Sequence, residues 1–228
     1  KKHGRKAEEA LMTEFVQLEE LSVFEGIDPA TLTNKQRRMA LRTINLIKEK
    51  RSGQLKGCTV ADGRPQRSLY DKSETASPTV SIDALMMSLI IDAKEGRDVA
   101  TADVAGAYLK ADMDDFVIMK FTGRDVRILC EMNGDYERFV TTERNGQEVL
   151  YVRLLKALYG CVKSALLWYD LFTNSLKEMG FTLNPYDPCV ANCMIDGKQC
   201  TVVWYVDDNK ISHVDPRVVT ELIERIED

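Results

Sequence analysis

The chain has 228 residues, 44% of them hydrophobic and 29% charged, with a formal net charge of −5. These figures describe a globular chain able to bury a sizeable core, and its apolar runs last only a few residues, far short of the ~20 that a membrane-spanning helix needs. The six cysteines include no CxxC pair, which argues against a zinc knuckle and a secreted disulfide framework and for a reducing compartment.

The net charge hides an asymmetry. Residues 1–70 carry 14 Lys and Arg against 9 Asp and Glu, and the remainder carries 17 against 27. A basic front and an acidic rear suit a protein that holds polyanions in one region and cations in another, although solvated helix faces would give the same sums. The chain opens on Lys rather than Met, so a fragment or processed product is expected.

Ala7, Ala10, Leu11, Phe15, Leu18 and Leu21 recur at helical spacing and predict a helix over 6–24. After the break at Gly26–Pro29, a second helix is expected from Thr33 to Arg51, and residues 52–70 read as a hairpin or extended loops. The stretch 77–96 reads as a buried helix, with Ser81 as N-cap and Gly96 at its end. Strands are expected at 98–104 and 116–121, a short helix at 124–132, and a hairpin over 137–154 turning at Asn145-Gly146. A helix from Ser164 to Met179 should bury Leu167, Trp168 and Leu171 under a sheet. Strands at 188–195 and 199–206, joined through Asp196-Gly197, precede a short strand at 209–213 and a last helix from Pro216. Helices lead and an antiparallel-rich sheet follows, which is α+β rather than alternating βαβ units.

Within 202–212, VVWYVDDNKIS, two adjacent carboxylates interrupt a β-branched and aromatic strand pattern. Side-by-side like charges repel, so a cation should offset Asp207 and Asp208. Asp103 ends another apolar strand, just before Ala105-Gly106-Ala107. If the two strands lie side by side, Asp103 and Asp207 could bridge two hard cations about 4 Å apart, the arrangement that phosphoryl and nucleotidyl transfer use. Tyr-x-Asp-Asp is weak evidence alone, because a hairpin tip with an Asx-type turn uses the same residues.

Its surroundings strengthen it. DVAGAYL (103–109), LYGCVKSALLWY (158–169), YDPCV (186–190) and YVDD (205–208) stand in an order and spacing that resemble the reverse transcriptase domain of copia-type LTR retrotransposons. The resemblance covers essentially the whole chain, including LKGCTVADGRPQR (55–67). It implies the fingers and palm of a right-hand polymerase, with an antiparallel palm sheet backed by helices and no thumb within the chain. The division implied is a basic, fingers-like 1–97 and a mainly palm 98–228, with fingers elements interleaved at 123–160.

The implied activity is RNA-directed DNA polymerisation, adding deoxynucleotides to a primer 3′-hydroxyl with two Mg²⁺ ions, for which Mn²⁺ can substitute. By position, Asp103 and Asp207 would hold the metals, aided by the Val104 carbonyl and supported by Asp208. Tyr108 would sit under the incoming sugar, Lys56 and Arg64 would contact the nucleotide, and Tyr205 and Gly160 would approach the template-primer. Implied partners are an RNA or DNA template-primer, dNTPs and other Pol segments (RNase H, integrase), with no membrane. The implied setting is a cytoplasmic particle whose DNA product goes to the nucleus.

Three positions depart from the family pattern. Cys58 stands where the family places an arginine, and a thiol lacks the guanidinium's charge and fork of donors. Lys163 and Ala165 replace a common glutamine and proline. The alternative is therefore an impaired, truncated retroelement remnant that only binds nucleic acid.

Overall fold

A computed structural model describes residues 4–227. In chain order the elements are α1 (Gly4–Glu20), β1 (Phe24–Gly26), α2 (Asn34–Met39), β2 (Leu41–Glu49), β3 (Leu55–Ala61), α3 (Ile82–Glu95), β4 (Asp98–Asp103), α4 (Ala107–Lys110) and β5 (Ile118–Thr122). There follow α5 (Arg124–Met132), β6 (Val140–Thr142), β7 (Glu148–Leu154), α6 (Ser164–Glu178), β8 (Thr182–Leu183), β9 (Val190–Ile195), β10 (Lys198–Tyr205), β11 (Asp208–His213) and α7 (Pro216–Glu227). The class is α+β.

The chain divides into two interleaved units, Lys1–Thr75 with Tyr108–Ser164, and Ala76–Ala107 with Ala165–Asp228. The expected boundary at 97/98 falls inside the second unit. The physical reason is that α3 is fastened to the sheet containing β4, so residues 76–97 belong with the strand that follows them.

In the first unit a six-stranded sheet runs β1-β7-β5-β2-β3, with β6 added on β7. Only β2 and β5 pair in parallel, Leu41 opposite Met119. The core gathers Phe15 and Leu18 of α1, Phe24, Met119, Phe121, Leu150 and Val152. Phe15 meets Phe121 edge-on at 5.6 Å between ring centroids, a favoured aromatic geometry. Helix α1 lies on the β2–β3 hairpin, where a Cβ at Gly57 would stand 2.6 Å from the Ala10 carbonyl oxygen.

The helix expected over 33–51 is corrected. Its start is right, since Thr33 and Gln36 form a reciprocal capping box, but α2 ends at Met39 and β2 begins at Leu41. From Leu41 to Lys48 burial alternates, with Arg42, Ile44, Leu46 and Lys48 outward. Pairing with β3 from Thr43 to Glu49, and with β5 at Leu41 and Arg42, overrides the helical propensity of the Lys- and Leu-rich sequence.

The second unit is built on an antiparallel five-stranded sheet, β4-β11-β10-β9-β8. Asp196 and Gly197 both take positive φ (50° and 73°), as a two-residue I′ hairpin demands. On one face, Trp168 of α6 stacks on Phe172, which meets Trp204 edge-on at 5.3 Å. Trp168 is buried as expected, but Leu171 is exposed. The inward stripe of α6 is Trp168, Phe172 and Leu176, one residue per turn. Helix α3 covers the opposite face, capped by the Ser81 hydroxyl, which accepts from Ala84 N, and closed by Gly96 in the left-handed conformation.

Candidate functional site

Strand β11 lies between β10 and β4, and the register places Asp208 opposite both Tyr205 on β10 and Asp103 on β4. Directly opposed residues share a sheet face, so Tyr205, Asp208 and Asp103 form one row across three strands. Asp207 is the second residue of the two-residue loop joining β10 to β11. Asp103, remote in sequence, thus meets the adjacent pair Asp207 and Asp208 at one end of one sheet.

The loop is held by its neighbours. Val206 has φ 60°, a left-handed conformation that a β-branched side chain disfavours. The Trp168 indole N–H donates to the Val206 carbonyl at 2.8 Å. The Asp207 carbonyl accepts from Val104 N at 3.1 Å and from Asn209 Nδ2 at 2.9 Å. Backbone strain of this kind persists where surrounding contacts determine it.

Electrostatically the cluster is unbalanced. No basic side chain is among the groups that shift the Asp207 carboxyl. Burial raises the Asp207 carboxyl above its ordinary range, its own backbone N–H opposes that, and the charges of Asp103 and Asp208 push it further up. A cavity of about 470 Å³ opens beside the row, walled by Val80 and Leu85 from the α3 side and by Thr101, Asp103, Tyr205 and Asp208 from the sheet.

These donors suit a hard cation, since oxygen ligands predominate and no thiol or imidazole takes part. Among the described residues no three acidic, Cys or His side chains are grouped so that they could by themselves hold a metal ion. Mg²⁺ does not require such a group. It is commonly held by one or two carboxylates, waters and substrate phosphates. The Val104 carbonyl already accepts a hydrogen bond from Ala107 N at 3.1 Å, which leaves one lone pair for another partner.

The structure thus gathers Asp103, Val104, Tyr205, Asp207 and Asp208 in the second unit. The other expected site residues belong to the first. Tyr108 is half-buried and packs on Tyr159, ring centroids 4.4 Å apart. Lys56 is exposed on β3, opposite Lys48. The Arg64 fork is occupied by Asp62, with Nε and Nη2 donating at 2.8 and 2.6 Å, and this pairing holds the Asp62 carboxyl down at about 2. Gly160, at φ 92°, has a reason internal to the fold. A Cβ there would stand 2.0 Å from the Ala61 carbonyl oxygen, and Ala61 N donates to the Tyr159 carbonyl.

Lys163, the first of the departures from the family pattern at 163 and 165, is already paired. It pairs with Asp114 and Asp115, and Asp115 also accepts from the Tyr70 hydroxyl at 2.7 Å. Sequence reasoning passed over Asp92, Arg97 and Lys210, which are buried charges behind the acidic row. The one signal was a lysine within the strand pattern of 208–213. No protein-family profile matches the chain.

Proposed function

We propose that this chain is the fingers and palm portion of an RNA-directed DNA polymerase, extending a primer 3′-hydroxyl with deoxynucleotides. The observation that carries the reading is the register of Asp208 opposite Asp103, with Asp207 in the adjoining turn. Three neighbouring carboxylates beside an open cavity are a natural seat for divalent cations. Asp103 and Asp207 would hold the metal, with the free lone pair of the Val104 carbonyl assisting and Asp208 adding negative charge. When bound, Mg²⁺ would ease deprotonation of the attacking hydroxyl and neutralise the departing pyrophosphate. The protein's own part is to fix the oxygens before substrate arrives, which the hydrogen bonds to the Val206 and Asp207 carbonyls do for the turn. Exposed Tyr205, in the same row, offers an aromatic face to the primer end.

The β2–β3 hairpin of the first unit supports a polyanionic partner. Lys48 and Lys56 face each other across the strands, with Lys50 and Arg51 at the turn, and among the described residues none of the four forms an ion pair. Opposed like charges destabilise a hairpin and suit phosphate binding. The partners would be an RNA or DNA template-primer, dNTPs and other Pol segments, and the setting a cytoplasmic particle with nuclear delivery of its product. Among the described residues no helix is long and apolar enough to cross a membrane.

The test is primer extension on poly(rA)·oligo(dT) with Mg²⁺, comparing wild type with Asp207→Asn. Extension is expected in wild type and lost in the variant; extension that survives the substitution refutes the site. A second reading, a remnant that binds nucleic acid without polymerising, is favoured by the half-buried Cys58. Burial, then Glu14, raise its thiol pKa against the lowering effect of Lys56, and Arg64 is already held by Asp62. Primer-template binding without any extension would establish that reading instead.

A further inference from the structure

Helix α3 is inverted. Most of its large apolar residues face solvent, with Ile82 75%, Met86 50% and Ile90 60% exposed; Leu85 and Ile91 are only half-buried, while Ser88 and Asp92 are buried. Hydrophobic burial of its big side chains is therefore not the main fastening of this helix to the sheet. The fastening is ionic. Lys210 Nζ of β11 pairs with Asp92, and donates to Ser88 Oγ at 3.2 Å and Ser212 Oγ at 3.5 Å. Arg97, in the α3–β4 link, lies 3.9 Å from Asp92, pairs with Glu95 at 2.8 Å, and donates to Thr201 Oγ1 of β10 at 3.0 Å. The side chains of Arg97, Asp92 and Lys210 are 2%, 5% and 8% exposed. The Asp92 oxygens lack a well-formed hydrogen bond, so the neighbouring cations are their compensation.

The location of this network gives it a role. The row behind Tyr205–Asp208–Asp103 is Val203–Lys210–Thr101, and the next contains Thr201 and Ser212. Alternate residues of a strand share a face, so Lys210 stands on the same face as the acids, one row back. It also lines the cavity beside them, whose facing wall is Val80 and Leu85. Sliding of α3 over the sheet would change the width of that cavity. In some proteins a buried ion pair selects one arrangement where apolar contacts would tolerate several.

We propose that Lys210, with Asp92 and Arg97, is a positioning residue of the acidic site: the buried pair fixes α3 across the sheet and so sets the gap between α3 and the Asp103–Asp208 row into which the primer end fits. This rests on the polymerase reading for its substrate, but the fastening itself does not. The informative variant is Lys210→Met with Asp92→Leu, because replacing a buried pair by apolar groups is often neutral or stabilising, whereas removing one member strands the other, and Arg97 keeps Glu95 and Thr201 as partners. Its thermal midpoint is expected at or above that of wild type.

Hydrogen exchange of the α3 amides should nonetheless be at least tenfold faster in the double variant. Its single-turnover primer extension should be at least tenfold slower, with the KM for dNTP within twofold of wild type. Lys210→Arg, which keeps the charge, should restore extension to within about threefold. Unchanged α3 exchange in the double variant overturns the proposal, and so does an extension rate within twofold of wild type. If wild type does not extend primers, the polymerase reading fails, and the exchange measurement alone decides the fastening.

Discussion

Asp207 is the residue at which electrostatics and stability oppose each other. Its carboxyl is raised first by burial and then, against its own N–H, by Asp103 and Asp208. In the window between the ordinary carboxylate value and the raised one, the folded state holds the extra proton. Stability therefore falls as pH rises through that window and stays lower above it. Asp207→Asn removes the penalty. Without divalent cations at neutral pH its midpoint should lie about 1–3 °C above wild type, and the gap should close below about pH 4. Millimolar Mg²⁺ should raise the midpoint of wild type and leave the variant unmoved, measured by calorimetry. A variant that gains as much from Mg²⁺ as wild type would place the cation elsewhere. At Gly160 the constraint is steric. With φ 92° and the Ala61 carbonyl where a Cβ would be, Gly160→Ala should destabilise the first unit by about 2–4 kcal/mol in urea titration.

Among the elements, the β10–β11 turn carries the most informative strain. Glycine is the usual residue where the first position of a two-residue turn has positive φ, and here it is Val206. Val206→Gly should raise folding stability by about 1 kcal/mol, read from the urea midpoint. It should also slow Mg²⁺-dependent extension about tenfold, because the loop carrying Asp207 gains freedom. A faster variant would show that the strain serves no positioning purpose. Elements with strong local signals were legible in the sequence. Ser81 and Gly96 bracket α3, Asp196-Gly197 turns β9 into β10, and the expected 124–132 helix coincides with α5. Strand β2 was not legible, because Leu, Ile, Lys and Glu favour a helix locally and only the distant partners β3 and β5 select a strand. The three acids were legible as a pattern. The charges behind them were not, because the partners Lys210 and Asp92 lie 118 positions apart on elements that only the fold brings together.

At the scale of the whole molecule, the charge asymmetry seen along the sequence persists when the residues are sorted by unit. The first unit carries 24 Lys and Arg against 20 Asp and Glu, and the second 7 against 16. The sequence alone could not draw this division, because residues 76–107 leave the first unit and chain returns to it at 108 without a Gly- or Pro-rich linker at either crossing. A net charge of −5 ordinarily argues against nucleic-acid binding. Segregated charge reconciles it with the proposed function, since the acids concentrate in the second unit and Lys48, Lys50 and Lys56, which among the described residues form no ion pair, sit on the β2–β3 hairpin or at its turn. Primer-template affinity should therefore fall steeply with salt, with a log–log slope of about 0.7–0.9 per phosphate neutralised. Replacing Lys48, Lys50, Arg51 and Lys56 together by Gln should reduce that slope by about 2–4, measured by fluorescence anisotropy across a salt series. Because like charges oppose across the hairpin, the same variant should be no less stable than wild type. A slope unchanged by the fourfold replacement would locate the phosphate contacts on other residues.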